Sequence, residues 1–165
     1  MATTGFKLPG VRAFVGRVKN ATAKAAAELI VEELQREGPA WTGKFRNAWV
    51  IEPGTKRKVP ASKKSEYTEK ERIAGKSTEA RKVITAKKLK GRSSNGYTIG
   101  NQMVYRNIAM DLVPSSELSR PYRKNATAEK DWYVKFVQAG RLREVLELAT
   151  DKAQKDPTVR GFKTK

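Results

Sequence analysis

One uninterrupted helical pattern runs from Pro9 to Glu37, and it restricts the fold more than any other feature of the sequence. Apolar residues recur there close to the helical repeat, at Val11, Phe14, Val15, Val18, Ala25, Leu29, Ile30 and Leu34. Pro9 suits a first helical turn, the Ala21–Ala27 stretch is rich in the best helix former, and Gly38-Pro39 ends the pattern. The helix would be roughly 40 Å long, which gives a chain of 165 residues a long face to share with a neighbour.

The rest of the chain alternates strand and helix signals. The predicted elements are a strand at 49–51, a strand at 96–101, a short helix at 104–112 and a long helix from 128 to about 155. Pro53-Gly54 closes the first strand, and Asp156-Pro157 stops the last helix. The order predicts an α+β fold with a long helix at each end and a small antiparallel sheet between them. We expect residues 1–165 to form a single domain.

The segment 55–92, between the two strands, has a composition of its own. It holds fourteen Lys or Arg and four Glu, a net charge of +10, and few large apolar residues. A stretch this long inside a compact domain is usually functional or disordered. We therefore expect a basic insertion that extends as an arm outside the core, and a second basic segment in the C-terminal tail, 156–165.

Residue types that serve catalysis are scarce. The chain has no histidine and no cysteine, so it lacks the usual general base and any thiolate metal ligand. Neither a Ser-x-x-Lys nor a Gly-x-Ser-x-Gly motif occurs, and the acidic residues stand at spacings typical of solvated helix faces. We expect no catalytic residue, no cofactor and no metal site, and hence no enzyme. The enzymatic alternative is a magnesium-dependent nuclease.

The excess of positive charge is the main indication of function. Thirty-five Lys and Arg against seventeen Asp and Glu give a formal charge of +18, whereas solubility needs a net charge of only about 2 to 8. Such a surplus attracts nucleic acid or acidic protein surfaces, and the charge pattern does not separate these two. The residues expected to contact a polyanion or partner are Lys56, Arg57, Lys58, Lys63, Lys64, Lys87, Lys88, Lys90 and Arg92.

Two short motifs carry a family resemblance. The first motif follows the long helix and has the spacing Pro-x-x-Thr-Gly-x-(apolar)-Arg-x-x-Trp. The second motif is a strand that ends in Asn and is followed closely by Tyr. Their residues are Pro39, Thr42, Gly43, Phe45, Arg46, Trp49, Asn101 and Tyr105. In these motifs the chain resembles the neck, tail-completion and minor tail proteins of long-tailed bacteriophages, with Phe45 in place of the usual leucine.

The same residues also have a purely structural interpretation. Thr42 and Gly43 could cap a turn. Arg46 could satisfy a carboxylate or backbone carbonyls, and Trp41 and Trp49 could fill the core. The two interpretations are compatible, because a motif that the fold requires says nothing direct about binding.

The resemblance implies a structural virion protein that forms a closed ring, commonly a hexamer, between the head connector and the tail tube. Its partners would be copies of itself, head-closure or connector proteins, and tail-tube or terminator proteins, with double-stranded DNA passing through the ring. It would be made in the host cytoplasm and reside in the virion. The alternative is a non-enzymatic nucleic-acid-binding protein of the architectural or ribosome-associated kind. We expect no membrane contact, since no apolar run could span a bilayer.

Overall fold

The structure is a computed structural model that describes residues 9–39, 44–56, 58–61, 89, 93–110, 112 and 131–160. The elements, in chain order, are helix α1 (Pro9–Glu37), helix α2 (Lys44–Asn47), strands β1 (Trp49–Pro53) and β2 (Tyr97–Asn101), helix α3 (Arg106–Ala109), helix α4 (Trp132–Gln138), helix α5 (Arg141–Gln154) and helix α6 (Pro157–Arg160). The predicted α+β class and the long N-terminal helix are confirmed, and α1 has the predicted bounds. The short helix predicted at 104–112 is confirmed only over Arg106–Ala109.

Small residues bring α5 and α6 close to α1. Ala21 contacts Ala153 and Val159, while Ala25 and Ala26 pack against Ala149 one turn further on. At the other end of α5, Arg141 pairs with Glu33. Higher numbers on one helix therefore meet lower numbers on the other, so α5 runs antiparallel to α1. Because alanine side chains are short, the two backbones can approach closely along this seam.

The C-terminal helix differs from the prediction. A single helix to about residue 155 is wrong, because α4 ends at Gln138 and α5 begins at Arg141. Gly140 has φ = +87°, a left-handed conformation that glycine adopts without steric cost and that commonly ends helices. The predicted start at Ala128 lies outside the described residues. The break redirects the chain, so that Trp132 and Phe136 of α4 reach the main core.

The predicted basic tail is partly folded into the domain. Pro157 opens α6, and the Asp156 carboxylate accepts a hydrogen bond from the Thr158 N–H at 2.9 Å, which caps the helix. Val159 is buried against α1. Within the predicted basic tail 156–165, residues 157–160 therefore form a helix that packs on α1, while 161–165 lie outside the described residues.

The two strands form an antiparallel ladder. Trp49 pairs with Asn101, Ile51 with Ile99 and Pro53 with Tyr97. Side chains alternate across a sheet, so Trp49, Ile51, Ile99 and Asn101 share the inner face, which packs on the core. The small antiparallel sheet interrupted by a long insertion is confirmed.

The main core lies where the second half of α1 meets the sheet and α4. Its buried members are Val31, Leu34, Phe45, Ala48, Trp49, Met103, Met110, Trp132, Phe136 and Val145. The Phe45 ring stands edge-on to the rings of Trp49 and Trp132, with centroid distances of 5.9 and 6.2 Å, and it stacks on Tyr105 at 6.3 Å. The core is thus organised around one motif residue, Phe45.

Candidate functional site

The motif residues converge at one place in the fold. Phe45 and Arg46 lie in α2, Trp49 begins β1, and Asn101 ends β2 in the position that pairs with Trp49. Pro39 lies two residues after the end of α1, and Tyr105 precedes α3 and stacks on Phe45. Thr42 and Gly43, together with Trp41, lie outside the described residues. The motif therefore marks the junction of α1, α2 and the sheet.

Arg46 closes the C-terminal end of α1. Its Nε donates to the Gly38 carbonyl at 3.2 Å and its Nη2 donates to the Arg36 carbonyl at 3.0 Å, two acceptors that the end of a helix leaves without intrahelical donors. In return, the Gln35 amide donates to the Arg46 carbonyl at 3.0 Å. Burial lowers the pKa of Arg46, and the nearby Glu37 carboxylate opposes that shift. The structural interpretation of Arg46, as a partner of backbone carbonyls, is confirmed.

Asn101 joins the end of β2 to α2. Its Nδ2 donates to the Phe45 carbonyl at 2.9 Å, and its Oδ1 accepts from the Met103 N–H at 3.0 Å. The Gln102 N–H adds a backbone bond to the Ala48 carbonyl at 3.0 Å. A buried polar side chain is tolerated when its groups are paired in this way. The described motif residues therefore hold the framework together, and Trp49 fills the core as the structural interpretation predicts.

The basic insertion leaves the sheet along the sheet's outer face. The Lys56 N–H donates to the Thr98 hydroxyl at 2.7 Å, and that hydroxyl donates to the Gly54 carbonyl at 2.8 Å. Val59 then lies directly over Gly100, and its carbonyl accepts from the Arg106 guanidinium at 2.7 Å. The prediction that 55–92 lies entirely outside the core is wrong at this end, because Val59 is buried.

Gly100 provides the space that Val59 occupies. A Cβ atom at residue 100 would stand 2.6 Å from the Val59 Cβ and Cγ2 atoms, which forces a displacement. We expect Gly100→Ala to lower the free energy of unfolding by about 1 to 3 kcal/mol, measured by chemical denaturation. In a Val59→Gly background, the same substitution should cost almost nothing. An equal cost in both backgrounds would contradict this contact.

The other end of the insertion is attached to α1. The Leu89 N–H donates to Glu28 Oε1 at 2.9 Å, although the two residues are far apart in sequence. The Glu28 side chain is largely buried and also pairs with Lys24 at 3.9 Å and with Lys152 of α5 at 3.7 Å. One carboxylate thus holds α1, α5 and the returning end of the insertion. No feature of the sequence indicates this role, because Glu28 looks like any acidic residue on a helix surface.

Removing that carboxylate should release the returning end of the insertion. We expect Glu28→Ala to raise the hydrogen-exchange rate of the Leu89 amide by roughly tenfold, because the bond that protects it is lost. Glu32→Ala is the matched control, since Glu32 lies one turn further along α1 and pairs only with Arg36 among the described residues. Unchanged exchange at Leu89 in Glu28→Ala would refute the attachment.

The residues predicted to contact a polyanion or partner fall in two groups. Lys56 and Lys58 are exposed at the root of the insertion, and the Lys56 ammonium pairs with Glu52 at 2.5 Å. The others lie outside the described residues: Arg57, Lys63, Lys64, Lys87, Lys88, Lys90 and Arg92. The two described lysines therefore stand on the fixed part of the insertion, next to the sheet's outer face.

The first half of α1 carries exposed cations that are not among the predicted contact residues. Arg12, Arg17 and Lys19 are exposed, and within the described part of the chain none of them pairs with an acid. The reason is visible in the sequence, because no acid occurs in α1 before Glu28. The arrangement opposes the helix dipole, which favours acids in the first turns. The signal that could have found these residues is this asymmetry of charge along one helix.

Within the described residues, no group of three or more acidic side chains is placed to hold a metal ion. None of the helices described combines the length and hydrophobicity that a bilayer crossing requires. No family model matches the chain, and no curated protein and no solved structure resembles it significantly.

Proposed function

We propose that the protein is a structural virion component that forms a ring at the head–tail neck or tail-completion junction of a tailed bacteriophage. The ring would join the connector to the tail tube around the DNA path. This proposal carries forward the resemblance in the two motifs. The described residues of those motifs, from Phe45 and Arg46 to Asn101, build one compact junction of the framework.

The observation that most supports the proposal is positive charge on α1 that no acid among the described residues neutralises. Glu28 and Glu33, the two most enclosed acids of α1, are engaged by cations of α1 and α5. Among the described residues, no acid pairs with Arg12, Arg17 or Lys19. Like charges at this density repel one another in an isolated monomer and are relieved by acidic neighbours or by nucleic acid.

The anchored insertion supports the same proposal. Its two ends are held on the sheet's outer face and on α1, by Val59 and Leu89. The basic segment between these points is therefore attached to the framework at both ends. Such an attachment fits an arm that contacts a neighbouring subunit or the DNA path.

The mass and shape of the purified full-length chain test the ring. We expect light scattering to report a defined oligomer, and negative-stain images to show closed rings with a central opening. Mass spectrometry of the purified virus particles should find the chain among the virion proteins. A chain that stays monomeric at high concentration and is absent from those particles would contradict the proposal.

The alternative is a nucleic-acid-binding protein, and two observations favour it: the net charge of +10 in the segment 55–92 and the exposed cations of α1. It predicts tight binding of DNA or RNA by the monomer, with an affinity that falls steeply as salt rises, because phosphate contacts release counterions. Neutralising Lys63, Lys64, Lys87, Lys88 and Lys90 should then abolish binding. Unchanged affinity in that variant would reject the insertion as the binding segment.

A further inference from the structure

One face of the first half of α1 combines cations with exposed apolar surface. Arg12, Val15, Gly16 and Lys19, here named the basic stripe, stand at i, i+3, i+4 and i+7 and therefore share one side of the helix. Val15 is 56% exposed. A Cβ atom at Gly16 would meet nothing within 4 Å, so no neighbour in the described residues explains a glycine inside a helix, where it is unfavourable.

The outward side of α5 carries the opposite charge. Val145, Ala149 and Ala153 face α1 and are buried. Glu144, Glu147, Leu148 and Asp151, here named the acidic stripe, lie on the side that points away from α1, at i, i+3, i+4 and i+7. The Glu144 and Glu147 side chains are 61% and 66% exposed, and Leu148 is 57% exposed.

The two stripes match residue for residue when the helices run antiparallel. Arg12 then faces Asp151, and Lys19 faces Glu144. Between them, Val15 meets Leu148, and Gly16 leaves room for the longer side chain of Glu147. Charged pairs thus flank an apolar contact, and the glycine allows the helix axes to approach.

Cations also lie beside the acidic stripe, but its carboxylates can still bind further donors. Arg141 binds Glu144 from the α1 side while also binding Glu33, and Arg143 binds Glu147 from the opposite flank. Lys155 stands beyond the C-terminal end of the stripe. Within the described residues Asp151 has no ion-pair partner, so one acid of the stripe is open and the other two can accept a second donor.

The two stripes of one chain cannot meet each other. α1 and α5 already pack through their alanine faces, and the acidic stripe points away from that seam. Within the part of the chain that the structure describes, no segment covers either stripe. Nucleic acid fits the basic stripe less well, because a phosphate backbone offers no apolar contact to Val15, whereas the acidic stripe supplies both the charge and Leu148.

We infer that the basic stripe of one copy docks antiparallel on the acidic stripe of the next, giving a head-to-tail contact between identical chains. The inference deepens the proposed ring and rests on it. Such a contact uses two different surfaces of each subunit, so an open chain of docked copies keeps one free stripe at each of its two ends. The contact therefore propagates until the assembly closes. It is also electrostatic at its edges and should weaken as salt rises.

Charge reversal on the full-length chain tests the contact. We expect Arg12→Glu with Lys19→Glu, and separately Glu144→Lys with Asp151→Lys, to weaken self-association by at least about tenfold, because like charges then face each other across the contact. The matched control is Lys135→Glu, compared with Lys19→Glu alone. Each substitution lowers the net charge by two, but Lys135 is exposed on α4 and lies off both stripes, so Lys135→Glu should assemble like the parent chain.

Recombining the reversed surfaces gives the decisive measurement. A chain with all four substitutions should assemble again, and an equimolar mixture of the two double variants should form oligomers in which they alternate. Sedimentation velocity measures the assemblies, and circular dichroism confirms that each variant is folded. Two outcomes would contradict this contact but not the proposed ring. In the first, the parent chain oligomerises and the reversed variants assemble equally well. In the second, recombination of the reversed surfaces does not restore assembly. A parent chain that is monomeric at every concentration overturns both.

Discussion

Replacing Trp132 by alanine is expected to lower the free energy of unfolding by about 4 kcal/mol, which is the usual cost of truncating a buried tryptophan. Trp132 is 5% exposed and packs edge-on against Phe45. Its indole N–H also donates to the Ala109 carbonyl at 2.8 Å, so the truncation removes core volume and orphans an acceptor. Urea or guanidinium denaturation at a fixed protein concentration measures the change.

A neighbouring substitution provides the control. Val137→Ala, on the same helix but at a residue that is 44% exposed, should cost less than about 1 kcal/mol. Trp132→Phe should fall between the two, since it keeps an aromatic ring in the core but loses the bond to Ala109. Equal costs for Trp132→Ala and Val137→Ala would contradict the placement of α4 on the core.

Replacing Arg46 by leucine should have the second largest effect, a loss of about 3 kcal/mol. Leucine keeps part of the side-chain volume but leaves the Gly38 and Arg36 carbonyls without the donors they now have, and an unpaired buried group costs about 1 to 3 kcal/mol. Hydrogen exchange should show faster opening in the last turn of α1, because this is the part that Arg46 closes.

Two variants separate geometry from charge at this position. Arg46→Lys keeps the positive charge but cannot present the planar fork of donors that reaches both carbonyls, so we expect it to recover less than half of the lost stability. Arg143→Leu removes an arginine whose side chain is 85% exposed and pairs with Glu147 on the surface. Its cost should be below about 1 kcal/mol. If Arg46→Lys is as stable as the parent chain, the fork is unnecessary.

Strong local signals made part of the fold predictable. Proline at the start of α1, an alanine-rich middle and Gly38-Pro39 after its end all act within a few residues of one another, and α1 has the predicted bounds. The strands were also predictable, because aromatic and β-branched residues followed by turn residues need no distant partner to be recognised.

The candidate surfaces were predictable only in part. The charge excess pointed to an external partner, and the predicted lysines Lys56 and Lys58 are exposed. The basic stripe on α1 was missed because its four residues read as one side of an ordinary amphipathic helix. Their significance depends on the acidic stripe more than a hundred residues later in the chain, and nothing local connects the two.

The break at Gly140 shows how a local signal is decided by distant contacts. Glycine inside a helical pattern is often tolerated at a cost of about 1 kcal/mol, so the sequence allowed one long helix through this position. In the fold, the positive φ of Gly140 turns the chain, so that Trp132 reaches the core beside Phe45 while Ala149 still packs on α1. The helix breaks at Gly140 because Trp132, before the glycine, and Ala149, after it, must both be buried.

The sequence by itself determined the long first helix, the strands and the excess of positive charge, because each depends on neighbouring residues or on composition alone. Only the tertiary structure decided the roles of Arg46, Glu28 and Val59, and the outward direction of the acidic stripe. Those roles are set by contacts between residues distant in the chain. The free energy of such contacts depends on burial and geometry, which exist only once the helices and the sheet have packed.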